Sequence, residues 1–234
     1  INTPKKSHII IIWNRIEAII KEFSKLLNNE KISKLKLNKE VDEYINLILE
    51  LSKKTDHLII TSWDAPHLHT GSYLKDFTNE NGISRNLALI NLRIADKLKK
   101  NSNIYFFNIA FLTQKNFHPY NPKLWYATKT PYNNQVFELA SEEFNEIIKS
   151  FSQSPKKLII LDLDNTLWGG IIGEIGWKKI NLGGHNHIGE AFTDFQKKIK
   201  SLKNKGIQLA IISKNNEKVA LEAFQKNKEM VLKL

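Results

Sequence analysis

Two aspartates separated by one leucine, Asp162 and Asp164, stand in the run Leu161-Asp162-Leu163-Asp164-Asn165-Thr166-Leu167-Trp168-Gly169-Gly170. Carboxylates this close repel each other when both are ionised, so the pair calls for a cation or a shared proton. A hard divalent ion with oxygen ligands, Mg²⁺ above all, is the matching partner. One carboxylate of such a pair can attack phosphorus and form an aspartyl phosphate. The other is near enough to protonate the leaving group and then to activate water. The spacing alone decides little, because Asp-x-Asp also caps helices or sits idle in loops.

Other side chains invite similar readings. His67 and His69, and likewise His185 and His187, are spaced i, i+2. In an extended segment both rings of a pair face the same way and could ligate a metal. No third cysteine or histidine accompanies either pair, so loop histidines are expected. Ser62 and His118 suggest an esterase, but Ser62 lies in no Gly-x-Ser-x-Gly turn, and structural roles are expected for both.

Carboxylates of this kind need a strand to carry them and helices to enclose it. Lys157 to Leu163 reads as a strand so continuously apolar that helices should cover both its faces. The aspartates then fall at its carboxyl end, where open α/β sheets bind ligands. Phe192, Phe195, Ile199 and Leu202 form a helical stripe that ends at Gly206, and Ile207 to Ile212 is the next strand. Asn216 should cap a last helix bearing Val219, Leu221 and Phe224.

Upstream the same alternation recurs. Ile9 to Trp13, Leu58 to Thr61 and Ile104 to Phe107 read as strands. Ile16, Ile19, Ile20, Phe23, Leu26 and Leu27 recur at helical spacing, as do Val41, Tyr44, Ile45 and Ile48, then Leu87, Ile90, Ile94 and Leu98. A loop with Pro66, two histidines and Gly71 follows the second strand, and a loop with Pro119, Pro122 and Pro131 follows the third. That second loop leads into a helix through Phe137, Ala140, Phe144, Ile147 and Phe151. Ser152-Gln153-Ser154-Pro155 breaks the chain, which predicts one α/β domain over 1–152 and another over 153–234, with mainly parallel sheets.

Composition bounds the alternatives. The chain has 234 residues, of which 41% are hydrophobic and 25% charged, enough for packed cores. The longest apolar run is five residues, Ile9 to Trp13, far short of a bilayer span, so no membrane partner is expected. With no cysteine, a disulfide scaffold, a thiolate zinc site and a cysteine nucleophile are excluded within these residues. Net charge is +11, yet the lysines are scattered and arginines number three, so diffuse solvated charge rather than nucleic-acid binding is expected. No signal peptide is recognisable, which makes the cytoplasm the expected location. The chain starts at Ile1 and its single methionine is Met230, so it is expected to be a piece of a longer protein.

The residues around the aspartates carry a specific resemblance. Asp162-Leu163-Asp164-Asn165-Thr166 resembles motif I of the haloacid dehalogenase (HAD) superfamily, and Ser213 after the strand Ile207 to Ile212 resembles motif II. The run from Trp168 to Gly176, the stretch Leu182 to Phe192, Ser213-Lys214-Asn215-Asn216 and Glu229-Met230-Val231-Leu232 are similar to FkbH-like proteins of HAD subfamily IIIC. Ile11-Ile12-Trp13, Thr61-Ser62-Trp63, Leu124-Trp125-Tyr126 and Lys129-Thr130-Pro131 are similar, more sparsely, to the N-terminal domain of that family, which resembles SGNH hydrolases. The resemblance implies a three-layer SGNH-like α/β domain, incomplete at its start, followed by the first part of a HAD Rossmann-like domain.

It further implies Asp162 as nucleophile, Asp164 as general acid/base, and both as Mg²⁺ sites, Asp164 through its main-chain carbonyl. Ser213, with Thr166, Lys214 and Asn215, would hold phosphate. His185 would shape the site entrance, and Trp168 and Trp177 would pack the hairpin after motif I. The implied substrate is a phosphorylated small molecule or a carrier-bound group in polyketide-type or surface-polysaccharide biosynthesis, with an acyl carrier protein as partner. Some members transfer a glyceryl unit from 1,3-bisphosphoglycerate to such a carrier through a cysteine thioester. Ile212 stands where that cysteine is expected, so this transfer is not anticipated here. A basic N-terminal domain acting only as a carrier-docking module is the non-catalytic alternative. The motif III lysine and the late acidic pair of the superfamily are expected beyond residue 234, which predicts a weak or inactive chain as it stands.

Overall fold

The computed structural model describes residues 7–65, 74–116 and 118–233. His67, His69, Pro66 and Gly71 lie outside the described residues. The chain divides into two units, Ile1–Ile147 and Ile148–Leu234.

The first unit is built on three parallel strands in the order β1 (Ser7–Ile12), β2 (Thr55–Thr61), β3 (Ile104–Phe107). The register places Ile10 opposite Leu58 and Leu58 opposite Ile104. Between β1 and β2 run α1 (Ile16–Ile19), α2 (Lys21–Leu27) and α3 (Lys34–Ser52); α4 (Ile83–Leu98) joins β2 to β3. After β3 come α5 (Ala110–Gln114), α6 (Pro122–Thr128) and α7 (Asn134–Ser152), and the division between units falls inside α7.

The apolar stripes behave as their spacing requires. Val41, Tyr44, Ile45 and Ile48 of α3 and Leu87, Ile90, Ile94 and Leu98 of α4 are buried in one core with Leu58 and Ile60. Ile59 points to the opposite face of β2, and there Phe144 of α7 meets Phe107 with ring centroids 5.2 Å apart. Cover on both faces explains the apolar run Leu58 to Ile60 of β2, all three fully buried, whereas Ile11 of β1 is left 39% exposed.

Two expectations are corrected. The stripe Ile16 to Leu27 is not one helix: Ile20 adopts φ −105°, ψ 99° between α1 and α2. The break lets Ile16, Ile20, Phe23 and Leu26 all bury, whereas Ile19 is left 37% exposed. The proline-bearing segment after β3 is not merely a loop, since it holds α5 and α6. Asn121 caps α6, accepting from the Lys123 and Leu124 amides, and Pro122 takes the first helical position, where its missing N–H has no partner to lose.

The second unit contains β4 (Leu158–Leu161), α8 (Ile172–Ile175), α9 (His187–Asn204), β5 (Gln208–Ile211) and α10 (Glu217–Lys226), with β4 and β5 paired in parallel. Ile159, Leu161 and Leu209 join Ile199 of α9 and Phe224 of α10 in a second core that also holds Leu163, Leu167, Trp168 and Met230. Here a third expectation fails. Only one face of β4 is covered, because Leu158 is 48% and Ile160 54% exposed. Alternate strand residues point to opposite faces, and the residues of α9 and α10 in this core meet the inner set alone.

Candidate active site

Because β4 and β5 run in the same direction, with Leu161 opposite Ile211, the loops that leave their carboxyl ends open side by side. The Ile212 amide donates to the Leu161 carbonyl at 3.0 Å and extends the pairing one step further. Asp162 follows β4 directly and is exposed; Ser213, half-buried, begins the loop after β5. Residues far apart along the chain are thus gathered into one cluster.

The carboxylate loop is fixed from below by apolar anchors. Leu163, Leu167 and Trp168 are buried at 1%, 0% and 0% exposure, so the polar residues between them are held at the surface. The Thr166 and Leu167 amides both donate to the Leu163 carbonyl, closing a tight turn. Asn165 sits at φ 54°, a left-handed conformation that asparagine tolerates better than most residues, and its Oδ1 accepts from the Gly170 amide at 2.9 Å.

Within this turn the two aspartates differ. Asp162 accepts from the adjacent Leu163 amide at 2.7 Å and otherwise faces solvent. Asp164 is gripped by three donors. Its Oδ1 accepts from Trp168 Nε1 at 2.9 Å and from the Ile172 amide at the start of α8 at 3.1 Å. Its Oδ2 accepts from Asn215 Nδ2 at 2.9 Å. Asp164 therefore caps a short helix and is oriented at the same time, while Asp162 keeps an accessible carboxylate at the strand end.

On the β5 side, Asn215 links both loops. Its side-chain amide reaches Ser213 Oγ at 3.1 Å as well as Asp164, and its backbone amide donates to Ser213 Oγ at 3.2 Å. Ser213 Oγ thus accepts two hydrogen bonds, which leaves its own hydrogen to donate to an incoming oxygen. Asn216 caps α10 as its sequence position implies, accepting from the Lys218 amide at 3.0 Å. Lys214 is exposed between them, and Thr166 is half-buried in the carboxylate turn.

The other side chains singled out by type and spacing are dispersed. His185 is exposed and lines a cleft of about 400 Å³ with Trp177, Asn181, Asn227 and Glu229, a lining that includes neither aspartate nor Ser213. His187 opens α9 and is exposed. Ser62 Oγ accepts from the Ile109 amide at 3.0 Å in the first unit. Trp168 packs edge-on against Phe224, with centroids 5.9 Å apart, and in addition orients Asp164. That second role had a signal: a buried indole N–H needs an acceptor, and an aspartate stands four residues before it. Gln196 on α9 had none. Its fully buried amide donates to the Leu167 carbonyl at 2.7 Å and accepts from the Val231 and Leu232 amides at 2.9 and 3.2 Å.

No protein-family model matches the chain, and no curated protein matches it either. Among solved structures, the chain is similar to the crystal structure of the N-terminal part of the protein BF1531 from Bacteroides fragilis, which contains a phosphatase domain and is complexed with Mg. The TM-score is 0.79 at 28% identity; the match covers 96% of this chain and 59% of that one. The chain therefore spans about three fifths of the length of the structure it matches.

Proposed function

We propose that the protein is a Mg²⁺-dependent phosphohydrolase of the HAD type, with Asp162 as nucleophile. The observation that carries this reading is the convergence of an accessible Asp162 at the end of β4 with an oriented Asp164 and with Ser213 beyond the end of β5. The likeness to a structure containing a phosphatase domain with Mg supports it across both units.

The residues suit the ion. Among the described residues no group of three or more His, Cys, Asp or Glu side chains could hold a metal, so a thiolate- or imidazole-rich site is not offered. Hard oxygens are: the Asp162 carboxylate and the Asp164 main-chain carbonyl would bind Mg²⁺, which usually keeps several waters and shares substrate phosphate. Bound there, it would offset the negative charge gathered by a carboxylate and a phosphate.

The chain's own residues then divide the work. Asp162 attacks phosphorus in line with the departing oxygen. Asp164 delivers a proton to that oxygen and later takes one from the water that hydrolyses the aspartyl phosphate. Its Oδ2 accepts from Asn215 alone, which leaves a lone pair there to carry that proton. Ser213, with Thr166, Lys214 and Asn215 around it, holds the phosphate oxygens.

The finer reading is an FkbH-like enzyme whose first unit is an SGNH-like domain. It would act in the cytoplasm on a phosphorylated small molecule or a carrier-bound substrate in a biosynthetic pathway, with an acyl carrier protein as partner. The decisive assay is Mg²⁺-dependent hydrolysis of an aryl phosphate by a form of the chain extended to carry the motifs expected beyond residue 234. Asp162→Asn should lower turnover by at least about a thousand-fold, as loss of a covalent nucleophile does. Undiminished turnover in that variant removes the nucleophile assignment.

A further inference from the structure

The first unit holds a cavity of about 260 Å³ lined by the residues that follow β1 and β2. That is the edge of a parallel sheet at which α/β folds bind ligands. The volume falls below the roughly 300–1,000 Å³ of sites for drug-sized molecules, so a small occupant fits, on the scale of one six-membered ring with its substituents.

The walls are aromatic and rigid. Trp63 is 4% exposed and rests on Tyr44, with ring centroids 4.9 Å apart. Its indole N–H donates to Asn14 Oδ1 at 2.9 Å. Its backbone N–H and C=O are clamped by the Asn91 side-chain amide at 2.9 and 2.7 Å. The next residue, Asp64, receives the Tyr120 hydroxyl at 2.9 Å on one oxygen and the Tyr132 hydroxyl at 2.6 Å on the other. Burial, with the Asp64 charge beside them, holds both phenols above their usual range, so they stay donors. Opposite polarity comes from Arg15, whose guanidinium carbon lies 4.4 Å from the Trp125 ring centroid. Its Nη1 is 3.0 Å from Glu17 Oε1, yet this buried nitrogen makes no directed hydrogen bond.

The lining therefore carries charges of both signs. An anion would meet the Asp64 and Glu17 carboxylates, and a cation would meet the Arg15 guanidinium. A neutral ring with an apolar C–H face for the aromatic walls, and hydroxyls that both donate and accept, matches acceptor and donor alike. We propose that this cavity binds a neutral sugar ring, independently of the phosphatase chemistry assigned to the second unit.

Saturation-transfer NMR on the protein, with the methyl glycosides of glucose, galactose and mannose, tests this against acetate and ethylamine as charged probes. At least one glycoside should bind saturably at millimolar concentration. Asp64→Asn and Arg15→Gln should each weaken it about tenfold or more, about 1.4 kcal/mol. If Asp64→Asn fails to fold by circular dichroism, Trp125→Ala, at a half-buried wall position, carries the same expectation. No transfer to any glycoside up to about 50 mM overturns the proposal. So does preferential binding of acetate or ethylamine, or glycoside binding unchanged in Arg15→Gln and Trp125→Ala.

Discussion

Replacing Gln196 by leucine tests how the carboxylate loop is tied to the body of the second unit. The side chain has 0% exposure and serves three backbone groups: the Leu167 carbonyl and the Val231 and Leu232 amides. Leucine fills much of the same space but offers no hydrogen bond. Val231 is half-buried, so its amide can regain water; the Leu167 carbonyl and the Leu232 amide belong to buried residues and cannot. Each stranded group costs about 1–3 kcal/mol. Burying an apolar in place of a polar side chain returns about 1–2 kcal/mol. Taken at mid-range, two stranded groups cost about 4 kcal/mol, so the net loss should be about 2–3 kcal/mol, a large share of the roughly 5–15 kcal/mol that keeps a domain folded. In urea, with a slope of about 2 kcal/mol/M, the unfolding midpoint of this unit should fall by about 1–1.5 M. Tryptophan fluorescence is a suitable probe, because Trp168 lies in the same core. A midpoint within about 0.2 M of the unaltered protein would refute the claim that these three bonds carry the loop.

Three further changes probe other parts of the structure. Trp168→Phe keeps a ring against Phe224 but deletes the N–H on Asp164; in the extended form of the chain, loss of a hydrogen bond to a charged group should lower kcat on an aryl phosphate about ten- to a hundred-fold, and an unchanged kcat would show that Asp164 needs no such guide. Gly189→Ala in the first turn of α9 should gain about 1 kcal/mol by helix propensity alone, yet its Cβ would sit 2.6 Å from the Gly183 carbonyl oxygen, so thermal unfolding should show a net loss. Asp42 on α3 takes a bidentate grip from Arg93 on α4 at 2.8 and 2.6 Å, and the Arg93 hydrogen bonds followed by its charge hold the carboxyl below its usual range. A depressed folded value means the contribution is present above the unfolded value of about 4 and fades as pH falls below it. Asp42→Asn should therefore lower the urea midpoint slightly at pH 7, both groups being partly exposed, and the difference should vanish at acid pH.

Side chains that act on their own neighbourhood were legible in the sequence. The stripes of α3 and α4 bury as their period demands, and Asn216 caps α10, because both depend on residues within a turn of each other. The place of Asp162 and Asp164 just past a strand follows from the same local logic, since an apolar run must end before charges begin. Tertiary structure decided the rest. The break at Ile20 reflects which isoleucines the core could accept, and helical spacing alone does not encode it. The half-open face of β4 depends on where helices pack, although its residues are as apolar as those of β2. The grip on Asp164 by Asn215 spans 51 positions, and the bonds of Gln196 span 29 to 36. A hydrogen bond works only within about 3 Å and a narrow range of angles. No pattern along the chain specifies that meeting; the packing of α9 and the parallel pairing of β4 with β5 bring the partners together.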